Sequence, residues 1–268
     1  MTNASSWTDP RTGRRLTDSA ALDRLATASV VLLGERHDSL DDHRWQARVI
    51  EGLAARRRPV LVGLEMFPRR VDSVLAAFAA GRIDRDRMLR DTGWREVWGF
   101  DPALYAPIFE TCRRLGLPMR GLNIPRPLVS VIGRDGWEAT PAEDRAWLSP
   151  AAAASPAYRR YLFEMTGGAR PDRAAQHPQD PSFDRFVRAQ GAWDRSFACA
   201  LAAALAERPG ALAIGVIGRG HLEYGYGTPA QLVDLGVGPV LVALPGGPPG
   251  PEVGPEPIAD LVHDPRTD

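Results

Sequence analysis

Five short apolar runs punctuate the chain: VVLLG (30–34), VLVGLEMF (60–67), MRGLNI (119–124), ALAIGVIG (211–218) and PVLVALP (239–245). Each is continuous rather than alternating, rich in Val, Ile or Leu, and ended by Gly or Pro. A strand with one wet face alternates apolar and polar positions, so a continuous run reads as a strand covered on both faces. Helical stretches separate the runs. That alternation predicts an α/β fold, a mainly parallel sheet flanked by helices. Helix starts can also be read. Asp38 or Ser39 caps a helix reaching about Arg57, and Thr140-Pro141-Ala142-Glu143 has the form of a capping box with Pro at the first helical position. Thr228-Pro229 opens a short helix before the last run. From about 125 to 208 there are helical patterns and Gly/Pro breaks but no strand pattern. This predicts a helical insertion that leaves from the strand C-termini and caps that edge of the sheet. Residues 16–245 read as one domain, and 246–268, with PGGPPGPEVGPEP, as a mobile Pro/Gly-rich tail.

Polar residues recur where the runs end. The first passes into Glu35 and His37, the second carries Glu65, the third ends at Asn123, and the fourth runs into GRGHLEYGYG with His221, Glu223, Tyr224 and Tyr226. Parallel strands put all these ends on one edge, where open α/β sheets bind ligands. Polar residues after strands also serve as helix caps and solvated loops, but the repetition at four strands favours a shared pocket. Glu65 is the sharpest case, because a carboxylate between Leu64 and Met66 is costly unless it is paired, hydrogen-bonded or metal-bound. Gly34-x-x-His37 and Gly218-x-x-His221 share one spacing, each glycine letting the backbone turn at a strand end.

One helix adds to the pocket. Phe183, Phe186, Val187, Phe197, Leu201 and Leu205 form an apolar stripe, and Gln190 and Asp194 fall in its middle. Polar groups on a buried face need partners. They either point into the pocket or form an internal pair tying the insertion to the sheet. His43 shares a helix face with Ala47, Ile50 and Ala54 and reads as a core or rim histidine. His177 and His263 read as solvated. Trp94, Trp98, Phe100 and Tyr105 read first as packing, with an apolar lid as the other possibility.

Composition narrows the functions. Formal net charge is zero, so no global field draws the chain to nucleic acid or an anionic membrane. All 33 basic residues are arginine, which excludes lysine Schiff-base chemistry. Cys112 and Cys199 are too few and too distant for a disulfide framework or a zinc cluster and read as core residues. No run reaches the roughly 18 apolar residues of a membrane span. The N-terminal stretch shows neither an apolar signal region nor a lipid-anchor cysteine, so a cytoplasmic location is the expectation.

LLGERHD, GLEMF, GLNIP, QGAWDRSFA and GRGHLEYGYGTP, in this order over about residues 27–245, resemble the ChaN-like haem-binding family within the Tiki/erythromycin-esterase-like superfamily. The resemblance implies a parallel α/β sheet with a helical insertion and haem binding linked to iron acquisition. It also implies haems in a homodimer interface, iron ligated by a tyrosine, and histidine and lysine contacts to the propionates. More distant relatives are peptidases or esterases using the Gly-x-x-His histidines and carboxylates of the same edge. With no lysine in this chain, an arginine, such as Arg36, would have to meet a propionate.

Two readings follow. As a haem- or iron-binding protein, the chain would offer Tyr224 or Tyr226 as a tyrosinate ligand, with His37, His221 or His43 nearby and Arg36, Asn123, Gln190 and Asp194 around the cofactor. As a hydrolase, it would use Glu35, His37, Glu65 and His221, either to hold a divalent metal such as iron or zinc or with a histidine as general base. Family resemblance favours the first; residue chemistry alone favours the second.

Overall fold

The computed structural model describes residues 6–246, 251 and 255–264. The chain opens with a hairpin, β1 (Trp7–Asp9) and β2 (Arg14–Leu16), and then α1 (Asp18–Leu25). All five apolar runs are strands: β3 (Val30–Glu35), β4 (Val60–Pro68), β5 (Met119–Asn123), β6 (Leu212–Gly218) and β7 (Val240–Pro245). A further strand, β8 (Leu261–His263), follows. Between β3 and β4 lies α2 (Leu40–Arg56). Between β4 and β5 come α3 (Asp72–Ala79), α4 (Arg85–Asp91), α5 (Trp94–Val97) and α6 (Pro102–Leu115). The segment between β5 and β6 is helical: α7 (Arg126–Asp135), α8 (Ala142–Arg145), α9 (Pro156–Met165) and α10 (Asp184–Ala206). The last helix, α11 (Thr228–Asp234), precedes β7.

The sheet order is β2-β1-β8-β7-β3-β6-β4-β5. From β8 to β5 every pairing is parallel, and β1 is antiparallel to both of its neighbours. The continuous apolar runs are explained by what covers them. Val31, Leu33, Val62, Leu64, Ile214 and Val216 face one core with Ile50 and Leu53 of α2 and Phe109 of α6. Val30, Leu32, Leu61, Ala213 and Ile217 face the other with Phe197 and Leu201 of α10. Successive residues point to opposite sides of a strand, so both sets must be apolar. Cys112 and Cys199 are buried and unpaired.

The register sets up the edge where the strands end. Along β3 and β6 it runs from Val30 opposite Ala213 to Glu35 opposite Gly218. Between β4 and β5 it shifts: Leu64 lies opposite Gly121, yet Pro68 lies opposite Asn123. This bulge re-aims the end of β4, as bulges do beside functional sites. Gly121 permits it, because a Cβ there would sit 2.6–2.7 Å from the backbone carbonyl oxygens of Phe67 and Pro68.

Of the two caps expected for α2 the structure has Ser39, and several other local expectations need correction. Ser39 is the cap of α2, its hydroxyl accepting from the Asp42 amide. Thr140 caps nothing: α8 starts after Pro141, and the Thr140 hydroxyl is buried without a partner among the described residues. Phe186 is exposed, unlike the rest of its apolar stripe. The region read as a tail holds β8, which pairs with β7 and β1, and the supposedly solvated His263 is buried against Trp7 and Trp45. Three residues are too few to show a strand period, and the Pro/Gly-rich stretch before them masks the return to the sheet. Residues 247–250, 252–254 and 265–268 of that region lie outside the described residues. Leu261 is fully buried between the neighbouring strands. Leu261→Ala is expected to lower unfolding free energy by about 2–5 kcal/mol, measured by urea denaturation; a change near zero would mean that β8 does not belong to the cooperative unit.

Candidate functional site

Glu35, His37, Glu65, Asn123 and His221 all lie at the C-terminal edge of β3, β4, β5 and β6. Glu35 is fully buried, and each carboxylate oxygen has an imidazole. Oε1 lies 2.7 Å from His37 Nδ1 and accepts from the Tyr105 hydroxyl at 3.0 Å. Oε2 lies 2.9 Å from Nε2 of the fully buried His43, in a bent contact rather than a linear hydrogen bond. Burial alone would raise the Glu35 pKa, but the hydrogen bond of His37, the close contact of His43 and the charges of both outweigh it and hold the carboxyl below its usual range. Tyr105 is driven the other way by burial and by the Glu35 charge, so it remains a phenol that donates.

A second imidazole–carboxylate pair faces the first. His221 Nδ1 lies 2.7 Å from Oδ1 of Asp194, which α10 carries across the strand ends. Asp194 has no exposed surface and also accepts from the Tyr158 hydroxyl at 2.6 Å and the Thr228 hydroxyl at 3.2 Å. Gln190, one turn earlier, places Nε2 3.3 Å from both His221 ring nitrogens. Between the two pairs lies Glu65. Its Oε2 accepts from the Gly218 amide at 2.5 Å, and its Oε1 is 3.8 Å from His221 Nε2. Only glycine fits at 218, since a Cβ would come within 2.7 Å of His37 Cε1. Asn123 holds the wall, its amide donating to the Glu65 carbonyl and its oxygen accepting from the Ile124 amide.

Burial pulls the pKa of each site histidine down, but the surrounding carboxylates outweigh it and the net direction is up. For His37 these are Glu35 and Glu65; for His221 they are Asp194 and Glu65. A cavity of about 390 Å³ opens beside the cluster. His37, Glu65, Asn123 and His221 lie along it, with Trp98, Phe100, Ile124 and Trp193 as apolar walls and Arg70 and Arg126 at the exposed rim. Trp98 meets the His37 ring edge-on at 4.8 Å, and Phe100 lies 5.3 Å away.

Other candidates are elsewhere. Arg36 forms a two-pronged pair with Asp42 and is not among the cavity-lining residues. Tyr224 adopts a left-handed backbone conformation, φ 60°, and packs with Tyr158, Tyr161 and Tyr226. That turn carries both Tyr224 and Tyr226 off the cavity lining. Glu223 is likewise engaged away from it, accepting from Tyr161 and paired with Arg219. Among the described residues no group of three or more His, Cys, Asp or Glu is arranged to hold a metal ion. Glu35, His37, Glu65 and His221 share the strand edge but do not converge as ligands, Glu35 being engaged by imidazoles and His221 by Asp194. Sequence reasoning missed Tyr158 and Thr228 as partners of Asp194, and read His43 as a core or rim histidine without its contact to Glu35. The six-residue step from His37 to His43, a loop followed by one helical turn, was the available signal for His43; Tyr158 gave none.

Fold and site together define an open, mainly parallel α/β protein whose titratable side chains crowd one edge of the sheet beside a cavity. Residues 21–232 match the family described as "Haem-binding uptake, Tiki superfamily, ChaN", and the chain belongs to that family. Among solved structures it is similar to "Cofacial heme binding to ChaN of Campylobacter jejuni", with TM-score 0.69 and 18% identity over 96% of this chain and 94% of that one. It is also similar to a histidine-to-asparagine mutant of the erythromycin esterase EreC in its open conformation, with TM-score 0.50 and 13% identity over 89% and 76% of the two chains. Comparison with curated protein sequences returns no match. Among the described residues no helix is long and apolar enough to cross a membrane.

The raised pKa of His221 has a definite sign for stability. A group whose folded pKa lies above its ordinary value, here 6.5, contributes stability that is fully present below that value and is lost as pH rises through the folded pKa. Asp194→Asn is expected to lower the pH at which His221 titrates, read by NMR. It should also cost about 3 kcal/mol or more in acid-side stability, with the deficit shrinking as pH climbs. A pH-independent deficit would contradict the pairing.

Proposed function

We propose that the chain binds haem in the cavity beside His37, at the C-terminal edge of the sheet. Family membership supplies the ligand class. The observation that carries the location is the make-up of the cavity: planar apolar walls from Trp98, Phe100 and Trp193, an imidazole on its lining, and two exposed arginines at its rim. Aromatic faces suit a flat macrocycle, and guanidinium groups pair with carboxylates through two parallel hydrogen bonds. Arg70 and Arg126 thus take the propionate role that a lysine cannot fill here. Tyrosine ligation does not fit this cavity, because Tyr224 and Tyr226 are not part of its lining. The donor that fits is His37, whose Nδ1 is held by Glu35, leaving Nε2 for iron. Bound haem supplies a redox-active iron. The protein's part is to orient the imidazole, cover the ring faces and neutralise the propionates. The open side of the cavity leaves room for a second copy of the chain to complete the cover as a homodimer.

Haemin titration of the purified protein is expected to give a saturable Soret band. His37→Ala should weaken binding at least about tenfold, roughly 1.4 kcal/mol, and the double variant Arg70→Ala with Arg126→Ala should weaken it similarly without moving the band. Absence of a saturable band, or one indifferent to His37→Ala, would reject this reading.

A second reading rests on a different observation. The pairs Glu35–His37 and Asp194–His221 flank Glu65 from two sides, an arrangement able to deliver and remove protons in ester or amide hydrolysis. In that case His221→Ala and His37→Ala would each abolish turnover of a chromogenic ester, whereas retention of full turnover in both would dismiss it.

A further inference from the structure

His43 is the one histidine whose ring has no exposed surface, and its nearest polar neighbour is a carboxylate that already serves the cavity. We propose that His43 is a positioning residue: acting through Glu35, it fixes which nitrogen of His37 carries the proton and keeps the His37 Nε2 lone pair turned toward the ligand. The inference rests on the reading of His37 as the cavity's donor.

Three features argue for it. First, the two oxygens of Glu35 divide their partners, with His37 and Tyr105 on Oε1 and His43 on Oε2. Hydrogen bonds hold Oε1, and the close approach of the His43 ring to Oε2 limits rotation of the carboxylate about its last bond. Second, both ends of the His43 contact are anchored. The His43 ring lies 4.0 Å from the Tyr105 ring, and Tyr105 in turn donates to Glu35 and to the His37 carbonyl. The first turn of α2 that carries His43 is capped by Ser39 and tied back by Asp42 to the Arg36 amide and guanidinium. Third, the contact does not recommend itself as packing. Burying an imidazole is costly, and among the described residues neither His43 ring nitrogen has a hydrogen-bond partner, Nε2 having only the bent contact with Glu35, whereas an apolar side chain on the same face would meet Tyr105 without that penalty.

The chemical consequence follows from the inventory of donors. Ionised Glu35 only accepts, so neutral His37 must carry its proton on Nδ1, leaving a lone pair on Nε2. The ring edge bearing Cε1 and Nε2 faces Gly218, with Glu65 beside it, and His37 lines the cavity. Removal of the His43 imidazole takes away the polar group that lies 2.9 Å from the buried Oε2. Glu35 then rotates to find a donor or takes up a proton, and in either case it no longer dictates the His37 tautomer.

The test uses ligand-free, full-length protein labelled with ¹⁵N at histidine, with His37 tautomers read from ring nitrogen shifts at alkaline pH. The wild type is expected to show His37 with Nδ1–H alone. His43→Leu should give a mixture with the Nε2–H form, and His43→Gln, which keeps an N–H directed at Glu35, should restore the single form. If His43→Leu does not fold, His43→Asn, too short to reach Glu35, takes its place with the same expectation. Haemin affinity should fall about tenfold in the leucine or asparagine variant and recover in the glutamine one. A folded variant lacking the N–H but retaining the wild-type His37 tautomer would overturn the proposal. Because the tautomer is read without ligand, a protein that shifts tautomer yet never binds haemin would uphold the role of His43 and reject the haem reading instead.

Discussion

Parallel pairing of β3, β6 and β4 is the constraint on which the site depends. Adjacent parallel strands lie about 4.8 Å apart and finish at the same edge. Residues separated by 30 or by 180 positions in the chain are thereby set side by side. Glu35 comes to lie opposite Gly218, and the end of β4 brings Glu65 to the Gly218 amide. The bulge between β4 and β5 then turns Glu65 and Asn123 toward the same space. If any of these strands ran the other way, its polar residue would leave the cluster for the far side of the sheet.

Among the carboxylates buried at this edge, Glu35, Asp194 and Glu65 surround the imidazoles, and the fold answers each differently. Glu35 is balanced by two imidazoles and a phenol, Asp194 by an imidazole, a phenol and a hydroxyl, and Glu65 by a backbone amide with an imidazole farther off. Burial penalises an anion less when donors are already in place. The same donors orient the imidazoles, so the device that lets the carboxylates be buried also aims His37 and His221. Glu65 is the least enclosed by side-chain donors of the three and faces the cavity, which makes it the carboxylate most open to a ligand.

What the sequence reveals about this molecule follows physical range. Strands β3 to β7 could be read because burial on both faces leaves an unbroken apolar run, and the edge cluster could be read because parallel topology follows from those runs. Asp194 and Gln190 could be placed because a helix has a fixed angular step. Tyr158 could not, since it meets Asp194 only through the packing of α9 against α10, which no local pattern encodes. The place of Tyr224 off this cavity's lining could not be read either, since its left-handed backbone conformation is rare outside glycine and no local pattern encodes it. β8 was hidden because three residues carry no period, and His43 because a polar group within an apolar helical face looks the same whether it is idle or engaged.

The pairing of β1 with β8 has a mechanical consequence. Trp7 is opposite His263, so the two outer segments of the chain leave the sheet at the same end of an antiparallel pair. Tension applied between them would open that pair like a zipper, loading its rungs one after another instead of all together. The first elements to come away would be β1, β2 and β8, at the margin remote from β4 and β5. That margin lies on the far side of β7 and β3 from the strands that carry Glu65 and Asn123.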